Sequence, residues 1–418
     1  MRCGEKLPGL AILRLVLIVA LVWCQSFAVT ASYGDFVNSS MWIVQPAAFA
    51  GLFCLLGFAL ARARARTGLR SFLQRRASTM LPTFLIAVIG AALILGPLLT
   101  SISVRRYLLD SRTWLYLLNL IGWPRFTLPA VFDFNNLSEQ VNSPLWTTPF
   151  VLLVVAGIAA GTASRAARLV PFAIIALAIA LAIGSQSFDM RSVTPLGFTT
   201  REFQFQLCAS LVASQLGVLG WRYRERLVLK RNVAVVCAML VIVLALLGAR
   251  RAVSFPVVGT LLAVPVAYLV VYTGARRLPG RKLAELARPL LPGIFLFSFP
   301  LQQVVTFYSR QGLGASLNFA LGLPLVLIAA SVTWSVWSRF APAWAEIKGD
   351  AEDSDGSLDP EWDFALAIAD ARDMANRQAV SARWQLAEFA RVALFWAIFL
   401  SAVLSAFALT YFASIGDS

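Results

Sequence analysis

The sequence predicts an all-α integral membrane protein, a polytopic bundle of about ten or eleven helices that cross the lipid bilayer. Composition is the first indication: 59% of the 418 residues are hydrophobic and 14% are charged, against about 45–50% and about 25% in soluble domains. The apolar residues also form blocks of about 20, the length that crosses roughly 30 Å of hydrocarbon as a helix. The alternating pattern of barrel strands does not occur, so helices are the only spanning form that satisfies the backbone.

The apolar blocks place the predicted spans along the chain. The first block, residues 8–29, is expected to remain as a helix, although its basic start and the small residues after it also fit a cleaved signal peptide. The next nine blocks are residues 42–61, 80–100, 146–163, 168–185, 203–221, 232–248, 256–274, 290–308 and 317–337, and an eleventh covers residues 391–412.

Basic residues in the short loops predict the orientation in the membrane. The net charge is +15, and arginines cluster in the loops 62–76, 222–231 and 276–288. Because Lys and Arg concentrate in cytoplasmic loops, we expect a cytoplasmic N-terminus, and we attribute the charge to topology rather than to a nucleic-acid partner. Arginine is abundant and lysine rare, which is typical of a GC-rich bacterium. We therefore expect the chain in a bacterial cytoplasmic (inner) membrane.

Three regions are predicted from the distribution of apolar blocks. Residues 1–340 form the main transmembrane domain, residues 341–390 a cytoplasmic segment with an acidic linker and an amphipathic helix, and residues 391–418 a C-terminal transmembrane helix. On the other side of the membrane, residues 101–145 form a long loop, in which the apolar stretch 114–123 predicts a short interfacial or re-entrant helix.

The chain contains no histidine. This removes the usual general base and the commonest metal ligand, so we expect no metal site. One of the five cysteines is near the N-terminus and four lie in predicted spans, so we expect no disulfide framework; they are Cys3, Cys24, Cys54, Cys208 and Cys237.

Polar residues inside predicted spans are the first candidate site residues. Arg14 and Gln25 lie on the first helix about 16 Å apart along the axis and within about 20° of the same face. They either face one cavity, or Arg14 snorkels to the inner surface and Gln25 bonds another helix. In the ninth span, Pro300 precedes Gln302 and Gln303, which indicates a kink that lines a cavity or polar contacts between helices.

Two further candidates flank the third and fourth spans. Arg75 and Arg76 precede the third span, in whose first turn Pro82 is expected. This guanidinium pair either binds phosphate groups of a cytoplasmic donor or simply follows the positive-inside rule. Trp146 belongs to a stretch rich in Asn, Pro and aromatic residues, which fits turns beside the membrane and a carbohydrate platform.

These patterns resemble the membrane acyltransferase family 3 over residues 13–340. Arg14 matches the arginine of that family's first helix, but Gln25 stands at the position of its histidine. Arg75, Arg76 and Pro82 match the family's Arg-Arg-x-x-Arg-x-x-Pro pattern, in which the last arginine is replaced here by threonine.

The resemblance continues in the later spans. Trp146 matches the family's Asn and Trp segment, although Val151 stands near the expected glutamate. In the ninth span Gly293 and Pro300 fit the family's pattern, and Ser298 takes the place of a second histidine.

The resemblance implies a ten-helix enzyme that moves an acyl group, often acetyl, from cytoplasmic acyl-CoA to an extracytoplasmic sugar or glycolipid. It matches no catalytic residue. The candidate binding residues are five that the resemblance marks and Gln302, which is taken from its place in the ninth span: Arg14, Gln25, Arg75, Arg76, Trp146 and Gln302. Because glutamine cannot accept a proton at neutral pH, we expect a catalytically impaired accessory or binding subunit in the acylation or assembly of cell-envelope polysaccharide or glycolipid. It would bind a glycan or glycolipid, and a protein partner through residues 346–390.

The alternative is an active O-acyltransferase with a non-standard site. Acyl-CoA (acetyl-CoA) would be its donor and not a bound cofactor, and positioning alone can contribute about 7–11 kcal/mol. The candidate bases are four carboxylates on the outer side: Asp133, Glu139, Asp189 and Glu202. A transporter for lipid-linked sugar is disfavoured, because the sequence shows no inverted repeat.

Overall fold

The computed structural model describes residues 8–66, 68–160, 169–184, 201–249, 255–310 and 312–346. This part of the chain is helical, and its only extended pairings are two isolated β-bridges, Thr100 with Val131 and Thr127 with Gln140. The prediction of an all-α fold is confirmed for these residues. The C-terminal part of the predicted cytoplasmic segment and the eleventh predicted span lie outside them.

Fifteen α-helices lie in the described residues. Their bounds are α1 Leu10–Val29, α2 Tyr33–Asn38, α3 Val44–Arg66, α4 Leu69–Gly90, α5 Gly96–Leu99, α6 Val104–Leu109, α7 Ser111–Leu115, α8 Thr147–Ala160, α9 Val170–Gly184, α10 Arg201–Arg222, α11 Arg231–Ala249, α12 Phe255–Gly274, α13 Arg281–Ala287, α14 Leu291–Tyr308 and α15 Ala315–Glu346.

Five helical stretches are long and apolar enough to cross a membrane: Leu10–Val29, Ser40–Arg66, Leu81–Leu99, Lys282–Tyr308 and Ala315–Ser338. Each of the first ten predicted spans falls on a helix, but the described part of the chain does not support ten or eleven membrane spans. Four of the remaining apolar stretches have at most 17 residues. A stretch of that length is about 25 Å long, short of the roughly 30 Å of hydrocarbon, although two of these stretches belong to α11 and α12, which have 19 and 20 residues.

The sequence predicts Pro82 in the first turn of its helix, and this prediction is wrong. It lies inside α4, which begins at Leu69 rather than at residue 80. Residues 69–79 are mostly Leu, Arg, Ala and other residues with good helix propensity, so the helix extends before the apolar block begins. An interior proline removes one backbone hydrogen bond, so Pro82 marks a weak point of α4.

The helices pack as two groups joined by α1. In the first group α3 packs against α10 and α12, and α9 and α11 pack on the outside of those helices. In the second group α14 packs against α15 and α4. Helix α1 contacts both α3 and α14, and the N–H of Gly9, just before it, donates to the carbonyl of Gly274 at 2.9 Å. The contact with α3 and the hydrogen bond at Gly9 therefore both hold α1 in place against α14.

Glycines bring α3 and α10 together at backbone distance. A Cβ atom added at Gly57 would lie 1.9 Å from the carbonyl oxygen of Ser214, and one added at Gly217 would lie 2.0 Å from that of Cys54. Contact between backbones is possible only where no side chain intervenes, as in membrane helix pairs with small residues at the crossing. Gly57 and Gly217 thus determine the closest helix crossing of the first group.

The long segment 101–145 forms a folded cap on the second group. The stretch 114–123 is helical as predicted, although the helix begins earlier, at Ser111, and continues as a 3₁₀ turn over Tyr116–Ile121. The cap has its own apolar core, in which Tyr107, Tyr116 and Phe132 are fully buried. The Tyr107 hydroxyl donates to the carbonyl of Ala92 at 2.8 Å, which ties the cap to the end of α4.

Candidate functional site

Five buried polar residues form a polar seam where α1, α14 and α15 meet. Ser298, Gln302 and Thr306 follow one another at four-residue intervals on α14, so they lie on one face of that helix. Gln25 on α1 and Asn318 on α15 face them, and each of the five side chains is at most 5% exposed. Polar groups at such depth need partners inside the protein.

Gln25 and Ser298 are in direct contact. The Ser298 hydroxyl donates to Oε1 of Gln25 at 2.6 Å, across 273 residues of sequence, and both groups are buried. These are the two positions at which the resembled family carries histidines. The structure thus brings together the two residues that the resemblance sets at histidine positions.

Gln302 and Asn318 connect the three helices of the polar seam. Nε2 of Gln302 donates to the backbone carbonyl of Val22 on α1 at 2.8 Å. Nδ2 of Asn318 donates to the backbone carbonyl of Gln302 at 3.1 Å and to the Thr306 hydroxyl oxygen at 2.8 Å. Gln302, predicted from sequence as a binding residue, therefore lies at the centre of the polar seam.

These contacts determine how the two amides are oriented. A backbone carbonyl can only accept a hydrogen bond, so the NH₂ groups of Gln302 and Asn318 must face Val22 and the Gln302 carbonyl. Their side-chain oxygens then point away, and among the described residues no group donates to Oε1 of Gln302 or Oδ1 of Asn318. A buried acceptor without a donor costs about 1–3 kcal/mol. The polar seam thus holds two costly, oriented acceptors.

A second set of amides joins α14 to the cap. Nε2 of Gln303 donates to the carbonyls of Leu137 and Gln140 at 3.0 and 2.9 Å, and Nδ2 of Asn135 donates to Oε1 of Gln303 at 2.7 Å. Asn135 also donates to the backbone carbonyl of Gln303. This network fixes the tip of the cap against the helix that carries the polar seam.

Asn142 compensates for the proline inside α14. Pro300 has no N–H, so the carbonyl of Leu296, one turn earlier, lacks its helical partner. Nδ2 of Asn142 donates to that carbonyl at 2.9 Å, and Asn142 is 1% exposed. The cap therefore stabilises α14 at Pro300, the predicted kink position, which lies between Ser298 and Gln302.

Arg14 is buried on α1, as expected for a site residue, but apolar packing separates it from Gln25. Ile18 and Val22 occupy the intervening face of α1 and pack with Leu291 and Ile294 of α14. Apolar side chains therefore lie between the two polar residues of α1. Arg14 lies in the half of the bundle that is away from the cap.

Trp146 lies in an aromatic cluster rather than in the polar seam. Its ring centroid is 4.9 Å from that of Phe49, 6.4 Å from that of Phe53 and 5.7 Å from that of Phe150. Phe295 of α14 contacts the same Phe49 at 6.4 Å. The tryptophan is thus buried beside the polar seam and packs α3 and α8 together.

Arg75 and Arg76 lie on α4, and their side chains are outside the described part of the structure, so their predicted role in binding a donor stays a prediction. The same applies to the candidate bases Asp189 and Glu202. The remaining two carboxylates have structural partners. Asp133 accepts a hydrogen bond from the Ser101 hydroxyl.

Glu139 holds the cap together. It forms an ion pair with Arg112 at 3.0 Å and accepts from the N–H of Ala130 at 2.9 Å, although its own backbone has a positive φ of 59°. Arg112 also contacts Asp110, and this hydrogen bond holds the pKa of the Asp110 carboxyl below its usual range. Glu139 thus links Arg112 to the backbone at Ala130 within the cap.

Sequence analysis missed Asn135, Thr306 and Asn318. Asn318 had a recognisable signal, because an amide within an apolar span is costly and usually marks a helix contact or a site. The role of Asn135 depends on how the cap folds back onto α14, and no local pattern reveals that. The four cysteines in the described helices are free thiols: Cys24, Cys54, Cys208 and Cys237.

Comparisons with models of protein families, with curated proteins and with solved structures find no match to this chain. The resemblance to acyltransferase family 3 therefore rests on the residues quoted from the sequence. Its implications for activity, donor and acceptor remain proposals, which the geometry of the polar seam supports to different degrees.

Proposed function

We propose that the protein is a membrane-embedded, acyltransferase-3-like subunit that binds a glycan or glycolipid and does not itself transfer an acyl group. It would act in the acylation or assembly of cell-envelope polysaccharide, in a bacterial inner membrane with its N-terminus in the cytoplasm. One observation carries this proposal: the buried contact of 2.6 Å between Gln25 and Ser298.

This contact supports the proposal in two ways. First, residues 25 and 298 are the histidine positions of the resembled family, and their contact is what a shared architecture requires. Second, an amide and a hydroxyl cannot take up a proton at neutral pH, whereas general-base catalysis typically contributes about 10²–10⁴-fold in rate. A site of this composition is suited to hydrogen bonding with a polyhydroxylated ligand.

A membrane bundle of ten helices is part of the same proposal. Helix α11, which has 19 residues, supports it. Its apolar side chains Val236, Met239 and Val243 are about half exposed and lie along one side of the helix. An exposed apolar stripe along a helix is suited to contact with lipid, because large contiguous apolar patches are rare on soluble surfaces. Tilting or local thinning of the bilayer accommodates short helices at modest cost.

An active O-acyltransferase is the second candidate, because Gln25, which stands at the position of the resembled family's base, is buried in the polar seam. In that case Arg75 and Arg76 position the acyl-CoA, and Arg76→Ala abolishes turnover. Gln25→His leaves the rate unchanged or raises it, since the imidazole restores a proton acceptor.

The accessory role is tested by deleting residues 346–390. We expect wild-type protein, extracted mildly from its native membrane, to migrate on a native gel as a complex larger than the 45.5 kDa chain. The deletion variant should migrate as the free chain, because the acidic linker and amphipathic helix are proposed to contact the partner. Equal migration of the two proteins would contradict a partner-binding role for this segment.

A further inference from the structure

We infer that one face of the cap lies in the membrane and contacts the acyl chains of lipids in the leaflet on the cap side of the bundle. This lipid face belongs to the short helix formed by α7 and the 3₁₀ turn that follows it. Its residues are Trp114, Leu115, Leu118, Ile121 and Trp123. The inference goes beyond the proposed function, because it concerns neither the polar seam nor acyl transfer; it requires only that the bundle lies in a membrane.

The short helix of the cap buries its polar side and exposes its apolar side. Thr113, Tyr116 and Asn119 follow one another at three-residue intervals, and each is 0% exposed. The Thr113 hydroxyl donates to the carbonyl of Tyr107 at 2.7 Å, and Nδ2 of Asn119 donates to the carbonyl of Tyr116 at 2.7 Å. On an amphipathic helix of a soluble protein the polar residues face water instead. This reversed arrangement favours hydrocarbon outside the helix.

The outward side of the helix is apolar along its length. Ile121 is 75% exposed, Trp114 is 52% exposed, and Leu115 and Trp123 are each 41% exposed. Exposed apolar surface of this extent marks a site of interaction with a protein or a membrane. The two tryptophans lie toward its two ends, and tryptophan is the residue type that concentrates where a membrane meets water. The composition of the lipid face therefore fits the edge of a bilayer.

The position of the lipid face places it beside membrane helices. The 3₁₀ turn packs against α4, whose apolar stretch Leu81–Leu99 is long enough to cross a membrane. Gly122, directly after Ile121, lies against α8, because a Cβ atom added there would lie 2.6 Å from Cδ1 of Leu152. Leu152 is about 8 Å along the axis from the start of α8. The lipid face is therefore level with the apolar part of α8 and not beyond its end.

Continuity with α8 selects lipid as the occupant of this surface. Leu152 and Leu153 are 50% and 56% exposed, and the contact at Gly122 joins their surface to the lipid face. Hydrocarbon that covers these leucines therefore also covers Ile121. Arg112, at the start of the same helix, forms ion pairs with Asp110 and Glu139 at 3.1 and 3.0 Å, so its charge is compensated within the cap.

The test places the photocrosslinking residue p-benzoylphenylalanine at single positions of the full-length chain in liposomes of phosphatidylethanolamine and phosphatidylglycerol. After illumination, mass spectrometry measures the fraction of the chain that carries a covalently bound lipid. Ile121→p-benzoylphenylalanine should form at least about tenfold more lipid adduct than Ser138→p-benzoylphenylalanine, because an apolar side chain favours hydrocarbon over water by about that factor or more. Ser138 is the matched control, since it is exposed on the same cap and is not part of the lipid face.

Two further positions separate this inference from the membrane bundle itself. Met239→p-benzoylphenylalanine reports on α11, where the side chain is 59% exposed, and should also form lipid adducts. Leu115→p-benzoylphenylalanine is the second position on the lipid face, and it replaces Ile121 if that variant does not fold.

Other outcomes overturn the inference. Lipid adducts at Met239 but at neither position of the lipid face would place the cap in water and leave the membrane bundle standing. Absence of adducts at all these positions would contradict the membrane bundle as well. Equal adduct fractions at Ile121 and Ser138 would show that lipid contact is not confined to the lipid face. A covalent dimer formed from Ile121 in place of a lipid adduct would assign this face to a second copy of the chain.

Discussion

Gly57→Ala is expected to disrupt the packing of α3 against α10 severely. The added carbon would lie 1.9 Å from the Ser214 carbonyl oxygen, which is backbone and cannot rotate away. Overpacking a core costs about 1–3 kcal/mol, and a clash with backbone exceeds the upper value. The midpoint of thermal unfolding in detergent should fall strongly, and Gly217→Ala, on the opposite side of the same crossing, should act alike.

Gly90→Ala is the control for the helix-crossing prediction. It adds the same methyl group at the end of α4, where a Cβ atom meets no other atom within 4 Å. Alanine also has a helix propensity about 1 kcal/mol better than that of glycine, so this variant should be as stable as wild type or more so. If Gly57→Ala and Gly90→Ala have the same unfolding midpoint, the described crossing of α3 and α10 is wrong.

Gln303→Leu is expected to release the cap from α14. The substitution keeps the volume but removes three hydrogen-bond partners at once: those of the Leu137 carbonyl, the Gln140 carbonyl and the Asn135 amide. The Leu137 carbonyl keeps the Gln140 N–H and the Asn135 amide keeps the backbone carbonyl of residue 303, so we expect a loss of about 1–3 kcal/mol. Amide hydrogen exchange in residues 126–142 should become faster, while exchange in α3 stays slow.

The neighbouring pair Asn135 and Asn136 provides a matched comparison for the cap. Asn135 is 5% exposed and bonds Gln303, whereas Asn136 is exposed. Asn135→Ala should share the faster exchange of Gln303→Leu, and Asn136→Ala should change stability by less than about 0.5 kcal/mol. Unchanged exchange in Gln303→Leu, or equal effects of the two asparagine variants, would show that the amide network does not hold the cap.

Much of the helical structure follows from local sequence. Apolar blocks such as residues 256–274 and 290–308 end within a residue of the helices α12 and α14, because loop residues and charges follow directly. The start of α4 was predicted too late, because the prediction relied on the apolar block that begins at residue 80. Residues 69–79 are mostly polar, but they have good helix propensity and extend the helix. For the number of membrane spans the described residues support the coarser statement: five helical stretches are long and apolar enough to cross a membrane.

The site was predictable only in part. Gln25 and Gln302 were identified because polar groups in apolar helices are costly and need partners. Their partners were not, because Ser298 is 273 residues from Gln25 in sequence and helix register sets which face it occupies. The role of Asn142 in bonding the Leu296 carbonyl needs both the kink and the folded cap. Such contacts between distant segments are fixed by tertiary packing and leave no local signal.

Transfer of labelled acetyl from acetyl-CoA to a glycan acceptor, measured with the purified chain in liposomes, tests the central claim most directly. That claim is that the buried Gln25–Ser298 pair belongs to a site that binds a glycan or glycolipid and supplies no proton acceptor for acyl transfer. The account predicts no label in the acceptor above a protein-free blank, for wild type and for Arg76→Ala alike. Time-dependent labelling by wild type that Arg76→Ala abolishes would contradict it and establish the chain as an active acyltransferase.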